Sequence, residues 1–177
     1  MVPAFLLASR RKGARVVHAP EWRPSVEQRR AYKSFCYKAK TTWSNARRGI
    51  LSAEARHDIV VGSPPEFKGE PDNWAPEELL VGALNTCTML TFLALAEGRG
   101  LRPIGYESEA EGQLENVEGN YQITKIVVRP RVTISNGAEL GPARTIMESV
   151  EARCFIANSL KTAVTIVPEF VLASTTD

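Results

Sequence analysis

An α+β fold is what this sequence predicts, and three observations carry the expectation. Short alternating segments come before one long, strongly apolar helical stretch. A long hairpin pattern follows it, and a second amphipathic helix then leads into a final strand interrupted by proline. At 177 residues, with 44% hydrophobic and 24% charged residues, the chain has the length and composition for a domain with its own core.

Residues 1–33 read as a basic, poorly ordered extension and residues 34–177 as the folded domain. In residues 34–43, Phe35, Tyr37, Ala39 and Thr41 share one face and predict a first strand. Residues 49–51 and 57–61 predict two more, and Pro64, Pro65, Gly69 and Pro71 make 62–74 a loop. Pro76 suits the first turn of a helix, with Glu77 and Glu78 complementing the positive end of its dipole. From Leu79 to Leu95 little polar surface remains, and Gly98-Arg99-Gly100 supplies the stop. A helix apolar nearly all round must be covered nearly all round, which implies a second subunit over it.

Ile104, Tyr106, Ser108 and Ala110 alternate with polar partners, and residues 116–120 form a turn. Ile126, Val128, Pro130, Val132 and Ile134 alternate in turn, with Pro130 marking an edge or a bulge. A second helix opens near Pro142, its apolar positions stepping from Leu140 through Ile146, Val150 and Cys154 to Ala157. Residues 164–172 predict a last strand that Pro168 interrupts.

The net charge of +2 gives no reason to expect nucleic acid as a partner. It is also unevenly spread: residues 1–34 hold eight basic and two acidic residues, leaving 14 basic and 18 acidic in the remainder. That segment is no convincing signal peptide, since its apolar run is short and its charges follow the run; its arginines and its lack of acids over residues 1–20 are shared with transit peptides. The apolar helix is interrupted by Asn85 and several threonines, so no membrane span is expected. Three cysteines without CxxC spacing, and two histidines remote from them in sequence, exclude a zinc pattern and leave no metal or cofactor to expect. Free thiols fit a cytoplasmic location.

Cys87 and Cys154 are the residues with chemistry to offer, yet each has an ordinary reading as a small core side chain on a helix. The polar company of Cys87, namely Asn85, Thr86, Thr88 and Thr91, is unusual in such a helix. Two cysteines on the core faces of two buried helices could approach disulfide distance, with Cα atoms within roughly 4.4–6.8 Å. Cys36 has no such company and is read as structural.

The run from Pro76-Glu77-Glu78 through Asn85-Thr86-Cys87-Thr88 closely resembles the first cysteine motif of the OsmC/Ohr-like family, and Ala96-Glu97-Gly98-Arg99-Gly100-Leu101 resembles its OsmC-like branch. The run from Cys154-Phe155 to Ser159-Leu160 resembles the second motif, although Phe155 stands where that motif normally has proline and Ala157 where it usually has serine. The resemblance spans about residues 34–172. It implies an OsmC-like fold, antiparallel sheets wrapped around central helices in an intertwined homodimer. It further implies a thiol-dependent peroxidase acting on organic hydroperoxides, with hydrogen peroxide as a second candidate substrate.

In that reading Cys87 is the peroxidatic cysteine and Cys154 resolves its sulfenic acid to a disulfide. Arg47, with Arg48 second, matches the arginine of the loop after the first strand, and Glu77 matches the glutamate that opens the helix. Only a thiolate attacks a peroxide, and an arginine, which keeps its charge, can hold one; a glutamate can orient the guanidinium. Ten residues separate Glu77 from Cys87, roughly 15 Å along a helix, so Glu77 is expected to act on the partner subunit's Cys87. An external dithiol, lipoyl- or thioredoxin-type, must restore the pair. Two other functions compete. An OsmC-like protein kept for binding or structure, with little peroxidase activity, is suggested by the departures around Cys154. A cysteine hydrolase would need His57 as its base.

Overall fold

The computed structural model describes residues 33–174. The basic extension therefore lies, but for its last residue, outside the described residues. Strand β1 (Lys40–Asn45), β2 (Arg48–Ser52) and β3 (Ile59–Gly62) form an antiparallel sheet in that order. The aromatic alternation at residues 34–39 does not extend β1. Pairing begins at Lys40 because its partner Ser52 ends β2, and a strand without a neighbour has no ladder to hold it. Cys36 accordingly lies outside any strand, with its side chain exposed.

Helix α1 (Pro76–Glu97) has the expected limits. The Oε2 of Glu78 accepts the Ala75 amide at 2.8 Å, closing the first turn. Past the last turn, Gly100 is left-handed at φ +73° and the Leu101 amide reaches back to the Ala96 carbonyl, a Schellman-type stop. The loop before α1 is tied to the first sheet, since the Gly62 amide donates to the Trp74 carbonyl and the Trp74 amide to the Val60 carbonyl.

Strand β4 (Gly105–Val117) and strand β5 (Asn120–Ile134) make a long antiparallel hairpin, turned by Glu118 and Gly119 with positive φ at both. Strand β6 (Ala163–Ile166) and strand β7 (Glu169–Leu172) lie parallel to β5, so this second sheet is mixed while the first is antiparallel throughout. Pro130 is neither on an edge nor in a bulge. It lies in the central strand β5, opposite the break where β6 pairing ends at Val128 and β7 pairing begins at Arg131. A residue without an N–H is tolerated there because no ladder bond is asked of that side.

The single second helix expected to run to Ala157 is broken. Helix α2 (Leu140–Glu148) and helix α3 (Val150–Arg153) are separated by Ser149, whose hydroxyl donates to the Ile146 carbonyl at 2.7 Å and competes with the helical ladder. A 3₁₀ turn, Ala157–Ser159, follows.

Leu84, Thr88, Phe92 and Ala96, four residues apart, form the buried stripe of α1. Phe92 and Ala96 pack with Val132, Ile134, Ile146 and Val150, and Leu84 packs with Ile126, Val128 and Cys154. Fully burying a side chain such as Leu84 or Phe92 contributes about 1.5–3 kcal/mol. Gly112 on β4 lets α1 come close, since a Cβ there would lie 2.5 Å from a methyl of Val81.

The outer side of α1 is a different matter. Leu90 is 57% exposed, in line with the exposed Ala83, Thr86 and Ala94. By length and composition α1 is long and apolar enough to cross a membrane, a property that the core helix of a soluble protein shares. Its polar interruptions cost the helix little because they are satisfied locally: the Thr88 hydroxyl donates to the Leu84 carbonyl at 2.9 Å, and Asn85 pairs with Ser108 of β4.

Candidate active site

Cys87 sits in the middle of α1, half-buried, and Cys154 follows the last turn of α3, fully buried. The break at Ser149 matters here. Cys154 still donates its amide to the Val150 carbonyl at 2.8 Å, but its own backbone turns extended (φ −74°, ψ 117°). The chain then curls so that Ile156 and Ala157, like Cys87, pack against the cluster that contains Cys154 and Leu84. Both thiols are free, and each shifts the ionisation of the other.

The two sulfurs are pushed in opposite directions. Burial raises the Cys87 thiol, but donors outweigh it: the Cys154 thiol, the Ile156 amide, the Thr91 hydroxyl and the Phe155 amide together hold Cys87 below the usual thiol range. Burial pushes Cys154 up, and its bond to Cys87 pushes it further, against the Ala157 amide that donates to its sulfur at 3.5 Å. One sulfur is prepared to be a thiolate and the other to remain a thiol. Thr91, one turn after Cys87 and 4.0 Å from its sulfur, accounts for part of the polar company noted in the sequence.

Arg47 and Glu77 meet elsewhere. Both line a cavity of about 560 Å³ between the first sheet and the start of α1, together with Arg48, Phe67 and Pro76. Arg47 occupies the β1–β2 turn, where Ala46 takes positive φ and its carbonyl accepts the Trp43 indole N–H. Its guanidinium donates to the Phe67 carbonyl. The loop that offers this carbonyl is closed at Gly69, where a Cβ would collide with the Ser63 carbonyl. Arg48 pairs with Glu70 at 3.1 Å.

The two glutamates that open α1 have different roles. Glu78 closes the first turn, whereas the Oε2 of Glu77 is buried with no hydrogen-bond partner among the described residues. Within one chain Cys87 lies near Cys154, while Arg47 and Glu77 line a separate cavity with no bond between them among the described residues. His57 is exposed, in the loop before β3.

The family model for OsmC-like protein matches residues 69–169, which take in α1, the hairpin and both site cysteines. The chain belongs to the OsmC-like family. Peroxiredoxin OsmC of Escherichia coli is 26% identical over 121 residues, covering 67% of this chain and 83% of that protein. YmaD of Bacillus subtilis, an uncharacterized protein, is 27% identical over 126 residues, covering 69% and 84%. Among solved structures, an OsmC-like protein of unknown function from Vibrio cholerae superposes with a TM-score of 0.70 at 27% identity, over 76% of this chain and 99% of that one. An organic hydroperoxide resistance protein OsmC from Legionella pneumophila gives 0.63 at 16% identity, over 78% and 98%, which shows the shared OsmC fold. The family thus includes a peroxiredoxin, and at family level this OsmC-like chain is a peroxidase-like enzyme.

Sequence reasoning missed the main-chain amides of Phe155 and Ile156, the Asn85–Ser108 pair and the Phe67 carbonyl that holds Arg47. Of these, only the pairing of a helix asparagine with a strand serine had a sequence signal, in polar residues placed on otherwise apolar faces.

Proposed function

We propose that this OsmC-like protein is a thiol-dependent peroxidase that reduces organic hydroperoxides, with hydrogen peroxide a secondary substrate. The observation that carries the reading is the Cys87–Cys154 pair, one thiol held below its usual range and its neighbour held above. The Cys87 thiolate attacks the peroxide; the O–O bond breaks, an S–O bond forms, and the alcohol leaves with a proton from solvent. Cys87 is then a sulfenic acid. The Cys154 sulfur displaces its hydroxyl as water, and the two cysteines become a disulfide. An external dithiol, lipoyl- or thioredoxin-type, returns both to thiols by exchange through a mixed disulfide.

The working unit in this proposal is a cytoplasmic homodimer with sites shared between subunits. Support comes from α1, whose most apolar window is only 22% buried within the chain. Two such helices packed antiparallel about a twofold axis would cover each other's Leu90 face. Each N-terminus, with Glu77 and Arg47, would then lie against the partner subunit's Cys87. Glu77 orients the guanidinium and the guanidinium holds the thiolate. The unpaired Oε2 of Glu77 is consistent with a carboxylate awaiting that arrangement.

The test has two parts. Cumene hydroperoxide consumption should depend on an added dithiol, and mass spectrometry of the oxidised protein should recover a Cys87–Cys154 disulfide; absence of that disulfide overturns the two-cysteine mechanism. Mixing Cys87→Ser subunits with Glu77→Gln subunits under exchange should regain one intact site per mixed dimer. No gain, with heterodimers shown to form, means that Glu77 acts within its own subunit or not at all.

A further inference from the structure

Two cavities lie against the start of α1 and share part of their walls. The first, of about 560 Å³, holds Trp43, Arg47 and Glu77. The second, of about 550 Å³, runs from the same glutamate to Leu114 and Tyr121 of the hairpin. Pro64, Phe67 and Glu77 line both, and of these three only Phe67 carries a large apolar side chain. The chain around it is pinned. The Pro64 carbonyl accepts the amides of Phe67 at 2.9 Å and Gly69 at 3.0 Å, closing a 3₁₀ turn over Pro65–Phe67. The Phe67 ring, in a half-buried residue, is seated against Tyr121, with centroids 5.6 Å apart and planes 80° to each other. Main chain and side chain of Phe67 thus have different partners: its carbonyl receives the Arg47 guanidinium, and its ring rests on the hairpin.

We infer that the Phe67 ring is a specificity-determining partition, which closes the Arg47 cavity against its neighbour and so favours hydroperoxides with a short or compact apolar group. A space of about 560 Å³ is enough to enclose one small molecule, and Trp43, Val61 and Pro76 give it apolar surface. An alkyl tail that outgrows this space meets the ring and turns out into solvent, where further methylenes gain nothing. Without the ring, the same tail enters the second cavity, and each methylene buried there strengthens binding by up to about fourfold. The ring takes no part in breaking the O–O bond, so the gain belongs to KM.

The inference rests on the peroxidase reading for its class of substrate, and its test is a chain-length series. On the full chain with an added dithiol, kcat/KM is measured for n-alkyl hydroperoxides from butyl to decyl. In the wild type it should rise with length and then level off. In Phe67→Ala the plateau should move to longer chains, raising the decyl-to-butyl ratio by about tenfold through a lower KM for the long substrates. The ratio cancels any common loss from a disturbed Arg47, whose carbonyl acceptor the alanine keeps. Phe67→Leu, which restores bulk, should bring the plateau back. A plateau that stays in place in Phe67→Ala overturns the inference, as does a wild-type series with no plateau. Should Phe67→Ala fail to fold by circular dichroism, Tyr121→Ala, at an exposed position, removes the seat of the ring and should move the plateau the same way; no movement overturns the inference. Calorimetric titration with the n-alkyl alcohols of the same lengths repeats the comparison without turnover. The expected pattern in alcohol binding, with no hydroperoxide consumed, would refute the proposed function and leave the partition standing; its absence there too would refute the partition.

Discussion

The two ends of the α1 site are built in opposite ways. Around Cys87 the groups that lower its thiol all come from the same chain: a neighbouring thiol, a hydroxyl one turn away and the backbone after Cys154. Around Glu77, Arg47 is exposed and donates to a carbonyl of the loop after β3, and a buried carboxylate oxygen has no partner among the described residues. About 15 Å of one helix separates them. The two cysteines of one site belong to a single chain, whereas the arginine end has no partner for its carboxylate among the described residues. Chemistry at the first can be lowered or abolished by changes within a subunit, while the second should respond to whatever disturbs assembly.

The largest effect expected is at the cysteine end. Cys87→Ser should lower organic hydroperoxide consumption on the order of a thousandfold or more, since it removes the attacking atom. Cys36→Ser should leave the rate nearly intact, and a comparable loss there would move the chemistry away from α1. Next comes Leu90→Asp, which places a charge on the exposed apolar stripe. Its burial between two subunits would cost several kcal/mol. The dimer dissociation constant by analytical ultracentrifugation should rise about a hundredfold, with the Cys87–Cys154 pair still able to form its disulfide. A tight dimer that is indifferent to this change would place the interface on another face.

Glu77→Gln should follow, lowering kcat/KM for cumene hydroperoxide by about ten- to a hundredfold, the range for losing a charge-assisted hydrogen bond. Its thermal stability should barely move, because Glu78 and not Glu77 closes the helix. A large fall in Tm would make Glu77 structural. The smallest effect sharpens the contrast between the sulfurs. The thiolate population of a group with a lowered pKa is already present below the usual thiol value of about 8.5 and disappears as pH falls through the lowered one. Cys87 alkylation should therefore outrun that of Cys154 at neutral pH, and the gap should narrow as pH rises through the raised value of Cys154. Equal rates at pH 7 would remove the division of labour.

How much of this was legible in the sequence varies with how local the cause is. Helix α1 could be bounded to the residue because Pro76, the glutamates and Gly98 to Gly100 act within one turn of where they stand. The β4–β5 hairpin was equally plain in its alternation. Strand β1 was misplaced because alternation at residues 34–39 says nothing about whether a neighbour reaches that far, and Ser52 does not. Pro130 was misassigned because the break between β6 and β7, which excuses it, lies some 37 residues further along the chain. At the site, the four side chains came from a resemblance between motifs. The amides of Phe155 and Ile156 have no residue type to announce them, since every residue but proline carries the same donor.

Gly112 sets a tolerance for the whole arrangement. With a Val81 methyl 2.5 Å from the place of a Cβ, the helix rests on the hairpin at a point where there is no room for even one more carbon. Val81 lies six residues, about 9 Å, before Cys87 on a rigid rod. An alanine at 112 would act as a shim under that rod, tilting it about its contact with the hairpin and changing the gap that two sulfurs must close to 2.05 Å when they bond. Position 112 would thus bear on the proposed disulfide from the face of β4 that packs against the helix, through a residue with no chemistry of its own.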